Sequence, residues 1–158
     1  MTAVVLSRRL AQDLAQYGGS TFPRHFAAEF QLWKEGGIGA GDTFGKNTPF
    51  SKPKAVVECD LWKVHLETSA VTPRWNRMLD EEGITDPQAY TSDRLLVYSQ
   101  LGDFAYRPYL LLSILDPAHS LMQDPARVLT LAEAYELERF AFSRWSPGDD
   151  SWTVVGMS

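Results

Sequence analysis

Polar side chains gather around two apolar runs in the second half of the chain. Asp93 and Arg94 lead into Leu95-Leu-Val-Tyr98-Ser-Gln100, and Tyr109-Leu-Leu-Leu-Ser-Ile-Leu115 ends in Asp116-Pro117-Ala-His119. Histidine suits proton transfer near neutrality, and a neighbouring carboxylate or phenol can orient its ring or share its proton. Side chains alternate along a strand, so Arg94, Leu96, Tyr98 and Gln100 share one face while Leu95 and Val97 share the other. The first face is the more polar and is expected to be open. His119, just past the second strand, is placed to meet Tyr98 or Asp93 across the sheet. Plainer roles fit the same residues: Tyr98 as an edge aromatic with a solvated hydroxyl, His119 as a hydrogen bonder at a helix entry. Both readings stay open at the level of sequence.

The elements that must hold this group follow from periodicity. Ala3 to Ser7 reads as a short strand, and Ser7 to Tyr17 as a helix stopped by Gly18-Gly19. Ser20 or Thr21 caps a second helix whose Phe22, Phe26, Phe30 and Trp33 form one buried stripe. Residues 36–53 are expected to be a long loop, and loops of that length are usually functional or mobile. Residues 54–67 read as a strand or strand pair, and 72–82 as a short helix closed by Gly83. Strands over 94–101 and 107–115 follow, joined at Gly102-Asp103. Asp124-Pro125 opens a last helix, with Asp as cap and Pro at the first helical position, running to about Phe142. Leu129, Leu137 and Phe140 fall off its core face and offer a landing site for a partner. The predicted class is α+β: N-terminal helices packed on an antiparallel sheet, with a C-terminal helix. Residues 1–142 form one expected domain. Residues 143–158 form a tail whose Trp145, Trp152 and Val154-Val155 predict that part of it docks.

Composition narrows the function classes. A chain of 158 residues with 44% hydrophobic and 22% charged side chains is an ordinary globular domain. The lone Cys59 rules out an internal disulfide and favours a reducing compartment. The order of apolar and charged residues at the N-terminus is the reverse of a secretory signal, and no run is long enough to span a membrane, so a cytoplasmic location is expected. Net charge is −5, distributed as +3 over residues 1–79 and −8 over residues 80–158. That balance argues against non-specific nucleic-acid binding, while leaving room for a local basic patch from Lys46, Lys52, Lys54, Lys63, Arg74 and Arg77. A P-loop ending at Gly45-Lys46 fails at Ala40 and Asn47, and Gly37-Ile-Gly39-Ala-Gly41 follows a helix where a dinucleotide fingerprint follows a strand. His25, His65 and His119 lack metal-ligand spacing. Neither a metal nor a small-molecule cofactor is expected.

Several segments together carry a family resemblance: Leu32-Trp-Lys-Glu-Gly36, Phe44-Gly-Lys46, Trp62-Lys-Val-His-Leu66, Thr91-Ser-Asp-Arg-Leu-Leu-Val-Tyr-Ser-Gln100, and Leu110-Leu-Leu-Ser-Ile-Leu-Asp-Pro-Ala-His119 running on to Asp124. In order and spacing, over roughly residues 20–142, the chain resembles the YafO family of toxins from bacterial type II toxin–antitoxin systems. The resemblance implies a compact RelE-like domain. It implies a ribosome-dependent mRNA endonuclease with a cognate antitoxin, the ribosome and mRNA as partners. Matching positions are His119, Asp93, Tyr98, Gln100 and His65.

Chemistry then suggests roles within this set. His119 would be acid or base with Tyr98 as its partner and Asp93 as its orienter. Arg94 or Arg107 would contact phosphate, and Lys46 and Lys63 the RNA backbone, beside Gln100 and His65. Where the family has Ala-Arg after the histidine this chain has Met122-Gln123, so a phosphate-binding arginine is missing unless Arg107 or Arg127 replaces it. The rival expectation is a non-enzymatic protein of the same fold that only binds a partner, through Leu129, Leu137, Phe140 and the tail.

Overall fold

A computed structural model describes residues 1–157. Six strands form one sheet: β1 (Val4–Leu6), β2 (Phe44–Pro49), β3 (Trp62–Leu66), β4 (Leu95–Gln100), β5 (Tyr109–Leu115) and β6 (Val154–Val155), in the order β2-β3-β4-β5-β1-β6. From β2 to β5 the strands run as an antiparallel meander. The N-terminal strand then pairs parallel to β5, and β6 closes that edge antiparallel to β1. The class is α+β as expected, but the sheet is mixed where a wholly antiparallel one was anticipated. The cause is tertiary: β1 docks beside a strand more than a hundred residues away, which its local sequence does not record.

Two helices cover one face of the sheet. In α1 (Arg8–Gly18), the Ser7 hydroxyl caps the N-terminus by accepting from Leu10 N and donates to Leu112 O, which fastens the helix start to β5. In α2 (Phe22–Lys34), Phe26 and Phe30 are buried against Leu96, Tyr98 and Leu111. On the opposite face, α6 (Pro125–Phe142) packs over Val97, Leu110 and Leu112, with the Asp124 side chain accepting from Ala126 N as its cap. Glu138 is buried in this helix and bonded to the Arg8 backbone N–H and side chain, so its charge is matched where it is desolvated.

Two expectations fail between residues 36 and 67. Strand β2 lies inside the anticipated loop, and its Gly45 explains how. A Cβ there would stand 2.2 Å from Tyr90 O, so glycine allows the close approach that brings Lys46 N to donate to Tyr90 O at 2.8 Å. Residues 54–58, read as strand, form the short helix α3 (Lys54–Glu58). The Val56-Val57 pair suggested a strand, but only Val56 is buried, and short apolar runs do not separate the two states. Helix α4 (Thr72–Asp80) appears where expected. Its Trp75 and Met78 pack on Tyr90 as a small third core. A second short helix, α5 (Ala118–Met122), carries His119 and was not anticipated.

Beyond α6 the chain folds back. Trp145 stacks on Phe142, and Trp152 meets Phe142 edge-on at 5.2 Å with the Arg8 guanidinium 5.1 Å over its ring. Leu6 N donates to Thr153 O just before β6 pairs with β1. Trp152→Ala should therefore destabilise the whole protein. A loss at or below about 3 kcal/mol is expected, the lower end for buried tryptophan because this one is half-buried. Chemical denaturation measures it, and an unchanged midpoint would mean that the docked tail contributes nothing to stability.

Candidate active site

The sheet's two faces have different fates. Val64 and Leu66 of β3 point into the core beneath α1 and α2, so Lys63 and His65 point to the other face. Helix α6 covers only part of that face. The remainder is a cleft of about 680 Å³ walled by β2 and β3, by α4, and by α5. Into it come Lys46, Lys63, His65, Arg74, Asp93 and His119.

Three consecutive residues before β4 hold three of these side chains. Thr91 O accepts from Arg74 Nη2 and, at 3.1 Å, from Trp75 Nε1. Ser92 holds His65: its N–H donates to Nδ1 at 2.8 Å, and its carbonyl lies 2.9 Å from the same nitrogen. Asp93 holds His119: Oδ1 accepts from the His119 backbone N–H at 2.8 Å and lies 2.6 Å from Nδ1. An ionised carboxylate only accepts, so His119 Nδ1 is the donor and Nε2 is left free. His65 Nδ1 can accept from Ser92 N–H, which puts the neutral ring's proton on Nε2, or donate to Ser92 O, which leaves Nε2 as an open acceptor. Asp93 O also accepts from Ala118 N, so Asp93 fixes the start of α5 as well as the ring. The helix-entry role and the orienting role of this pair are one arrangement.

The electrostatics of the cleft invert those of the whole chain. Three cationic side chains and two imidazoles face one carboxylate, in a protein of net charge −5. Burial, and to a smaller extent Lys46, lowers the Lys63 ammonium pKa, and Lys63 Nζ sits 4.9 Å over the Phe50 ring. Burial is also the main cause of a lowered pKa at His65, only partly opposed by its Ser92 backbone bond. The hydrogen bonds from His119 N–H and its ring hold the Asp93 carboxyl below the usual carboxylate range.

Of the residues singled out in the sequence, His119, Asp93, His65, Lys46 and Lys63 converge. Tyr98 does not join them. The face it shares with Leu96 is buried, not open. Its ring packs edge-on against Phe30, 5.0 Å between centroids, and its hydroxyl donates to Asn47 Oδ1 and accepts from Lys34 Nζ. Burial raises the Tyr98 pKa well above the usual phenol value. Arg94 is paired with Asp116 at 2.9 Å and lines a separate cleft of about 550 Å³ beside α1 and α2. Gln100 and Arg107 lie at the far end of β4, joined by a Gln100 Nε2 to Arg107 O bond. Arg74 was visible in the sequence only as one of six scattered cations; its anchor on Thr91 is a tertiary contact that no spacing reveals. Among the described residues, no three His, Cys, Asp or Glu side chains gather as metal ligands, and no helix is long and apolar enough to cross a membrane.

The structure is thus a small α+β domain that carries a cationic, histidine-bearing cleft. Residues 31–139 match the family described as Toxin YafO, type II toxin-antitoxin system. The chain belongs to that family, and the matched span contains every residue lining the cleft. It is a toxin-family protein, with an antitoxin as the implied partner. No curated protein and no solved structure matches it.

The lowered His65 pKa has a measurable sign. The unfolded chain binds the proton near the ordinary value of 6.5, and the folded chain only at lower pH. Stability from this residue is therefore present above pH 6.5 and lost as pH falls toward the folded value. An NMR titration should place the His65 midpoint below 6.5, and a midpoint at or above it would contradict burial as the governing cause.

Proposed function

We propose that the cleft cleaves messenger RNA during translation, as the active site of a ribosome-dependent endoribonuclease toxin held inactive by its antitoxin. One observation carries the reading: His65 and His119 hang by their Nδ1 atoms from the adjacent residues Ser92 and Asp93, each with Nε2 free in a cationic cleft. RNA contains its own nucleophile. A base removes the proton of a 2′-hydroxyl, O2′ bonds to the adjacent phosphorus, and the 5′-oxygen leaves with a proton from an acid. The ends are a 2′,3′-cyclic phosphate and a 5′-hydroxyl.

His65 is the base in this scheme. Burial favours its neutral form, and with Nδ1–H donated to Ser92 O its Nε2 lone pair accepts the 2′-hydroxyl proton. His119 is the acid in this scheme, because the bond from Nδ1 to the Asp93 carboxylate orients the ring and leaves Nε2 free toward the leaving oxygen. Lys46 and Lys63 contact the phosphate backbone. The overall acidity is accommodated by letting the ribosome supply the main docking contacts, which also places the activity in the cytoplasm. The RelE-like architecture implied by the sequence resemblance belongs to the same reading.

The alternative is a non-enzymatic binding protein. It is favoured by Leu137 and Phe140 on α6, 64% and 61% exposed beside Leu129, although a toxin gripped by an antitoxin also needs a protein-binding face. Primer extension on a defined message, with and without translating ribosomes, separates the two. New 5′ ends that appear only with ribosomes are expected. His119→Ala should slow their formation by roughly 10²-fold or more, while Tyr98→Phe, altered on the opposite sheet face, should cleave at close to the normal rate. Absence of cleavage by folded protein would transfer the function to the binding face.

A further inference from the structure

We propose that Arg74 binds the phosphate on which the cleft acts, an inference that rests on the RNA-cleaving reading and deepens it. Arg74 is the arginine that lines the cleft with both histidines. Its Nη2 is engaged by Thr91 O and Oγ1, while its Nε and Nη1 hydrogens have no partner among the described residues. Among the described residues no carboxylate pairs with it. Four of the ten arginines, Arg8, Arg9, Arg94 and Arg139, are paired with carboxylates, and of the unpaired ones only Arg74 lines this cleft.

Position strengthens the argument. Thr91 O also accepts from Trp75 Nε1, whose indole is fully buried, so the guanidinium is tied to a rigid part of the fold. A donor held in place before the charge develops is what stabilises a pentavalent phosphorus transition state. The fork geometry of guanidinium also matches two phosphate oxygens at once. The other candidate arginines are out of reach or occupied. Arg94 serves Asp116, Arg107 lies at the far end of β4, and Arg127 does not line the cleft. Gln123 does line it but carries no charge, so Arg74 on α4 is the arginine the cleft offers to a phosphate.

The test is single-turnover cleavage on translating ribosomes by the full-length wild type, Arg74→Ala and Arg74→Lys, each first shown to be folded by its thermal transition. Arg74→Ala should be slowed by roughly 10²-fold. Arg74→Lys should recover only part of this, since an ammonium lacks the fork. Added guanidinium ion should accelerate Arg74→Ala and leave the wild type unchanged, which loss of a purely structural contact would not produce. Replacing a non-bridging oxygen of the scissile phosphate with sulfur should slow the wild type more than Arg74→Ala. Cleavage by Arg74→Ala within about twofold of wild type, or a slow variant with neither rescue nor an altered sulfur effect, would overturn the assignment. A wild type that does not cleave refutes the RNA-cleaving reading first, and the phosphate role with it.

Discussion

The segment Thr91-Ser92-Asp93 is the constraint on which the candidate site depends. Its backbone and one carboxylate fix Arg74 from α4, His65 from β3 and His119 from α5. These side chains come from three separate elements, and each histidine is secured through Nδ1 with Nε2 left free. The Ser92 hydroxyl donates to Leu66 O at 2.6 Å, locking the segment to β3, and Trp75 locks it to α4. Preorganisation here is a matter of one short, doubly anchored stretch, and not of a deep pocket. Asp93 and His119 themselves remain open to solvent, with 51% and 76% of their side chains exposed.

Around that segment the sheet separates structure from chemistry. The face under α1 and α2 is closed by aromatic packing, in which Phe30, Trp33, Phe44, Tyr98 and Tyr109 meet edge-on or stacked. Lys34 completes it with its ammonium 4.6 Å over Trp33 and 4.9 Å over Tyr98, and burial lowers its pKa. The opposite face is only half covered by α6. What is left bare carries the cations and imidazoles. An acidic chain can thus present a basic cleft, because the negative charge of residues 80–158 sits largely outside it.

Much of this was legible in the sequence, and the failures have physical reasons. Local signals served well at the Asp124 cap, the aromatic stripe of α2 and the β4–β5 hairpin, whereas Thr21, expected with Ser20 as a cap, precedes α2 without a side-chain cap bond. Alternation along β4 correctly grouped Arg94, Leu96 and Tyr98, but polarity misjudged which face was open. A tyrosine hydroxyl satisfied by Asn47 and Lys34 is at home in a core. His119 was expected to meet Tyr98 or Asp93 from its place at a strand end, and it meets Asp93. Arg74 was not placed with them, because its role depends on how α4 packs against residue 91. The parallel pairing of β1 and the strand inside residues 36–53 were invisible for the same reason, being set by partners distant in sequence.

The chemistry of the RNA ends tests the central claim most directly. Fragments released by the purified protein on translating ribosomes would be analysed by mass spectrometry. The two-histidine cleft, acting through the substrate's own 2′-hydroxyl, predicts a 2′,3′-cyclic phosphate, or the 3′-phosphate it hydrolyses to, on one fragment and a 5′-hydroxyl on the other. A 3′-hydroxyl with a 5′-phosphate would show that water, not the ribose, attacks the phosphorus, and would contradict the account.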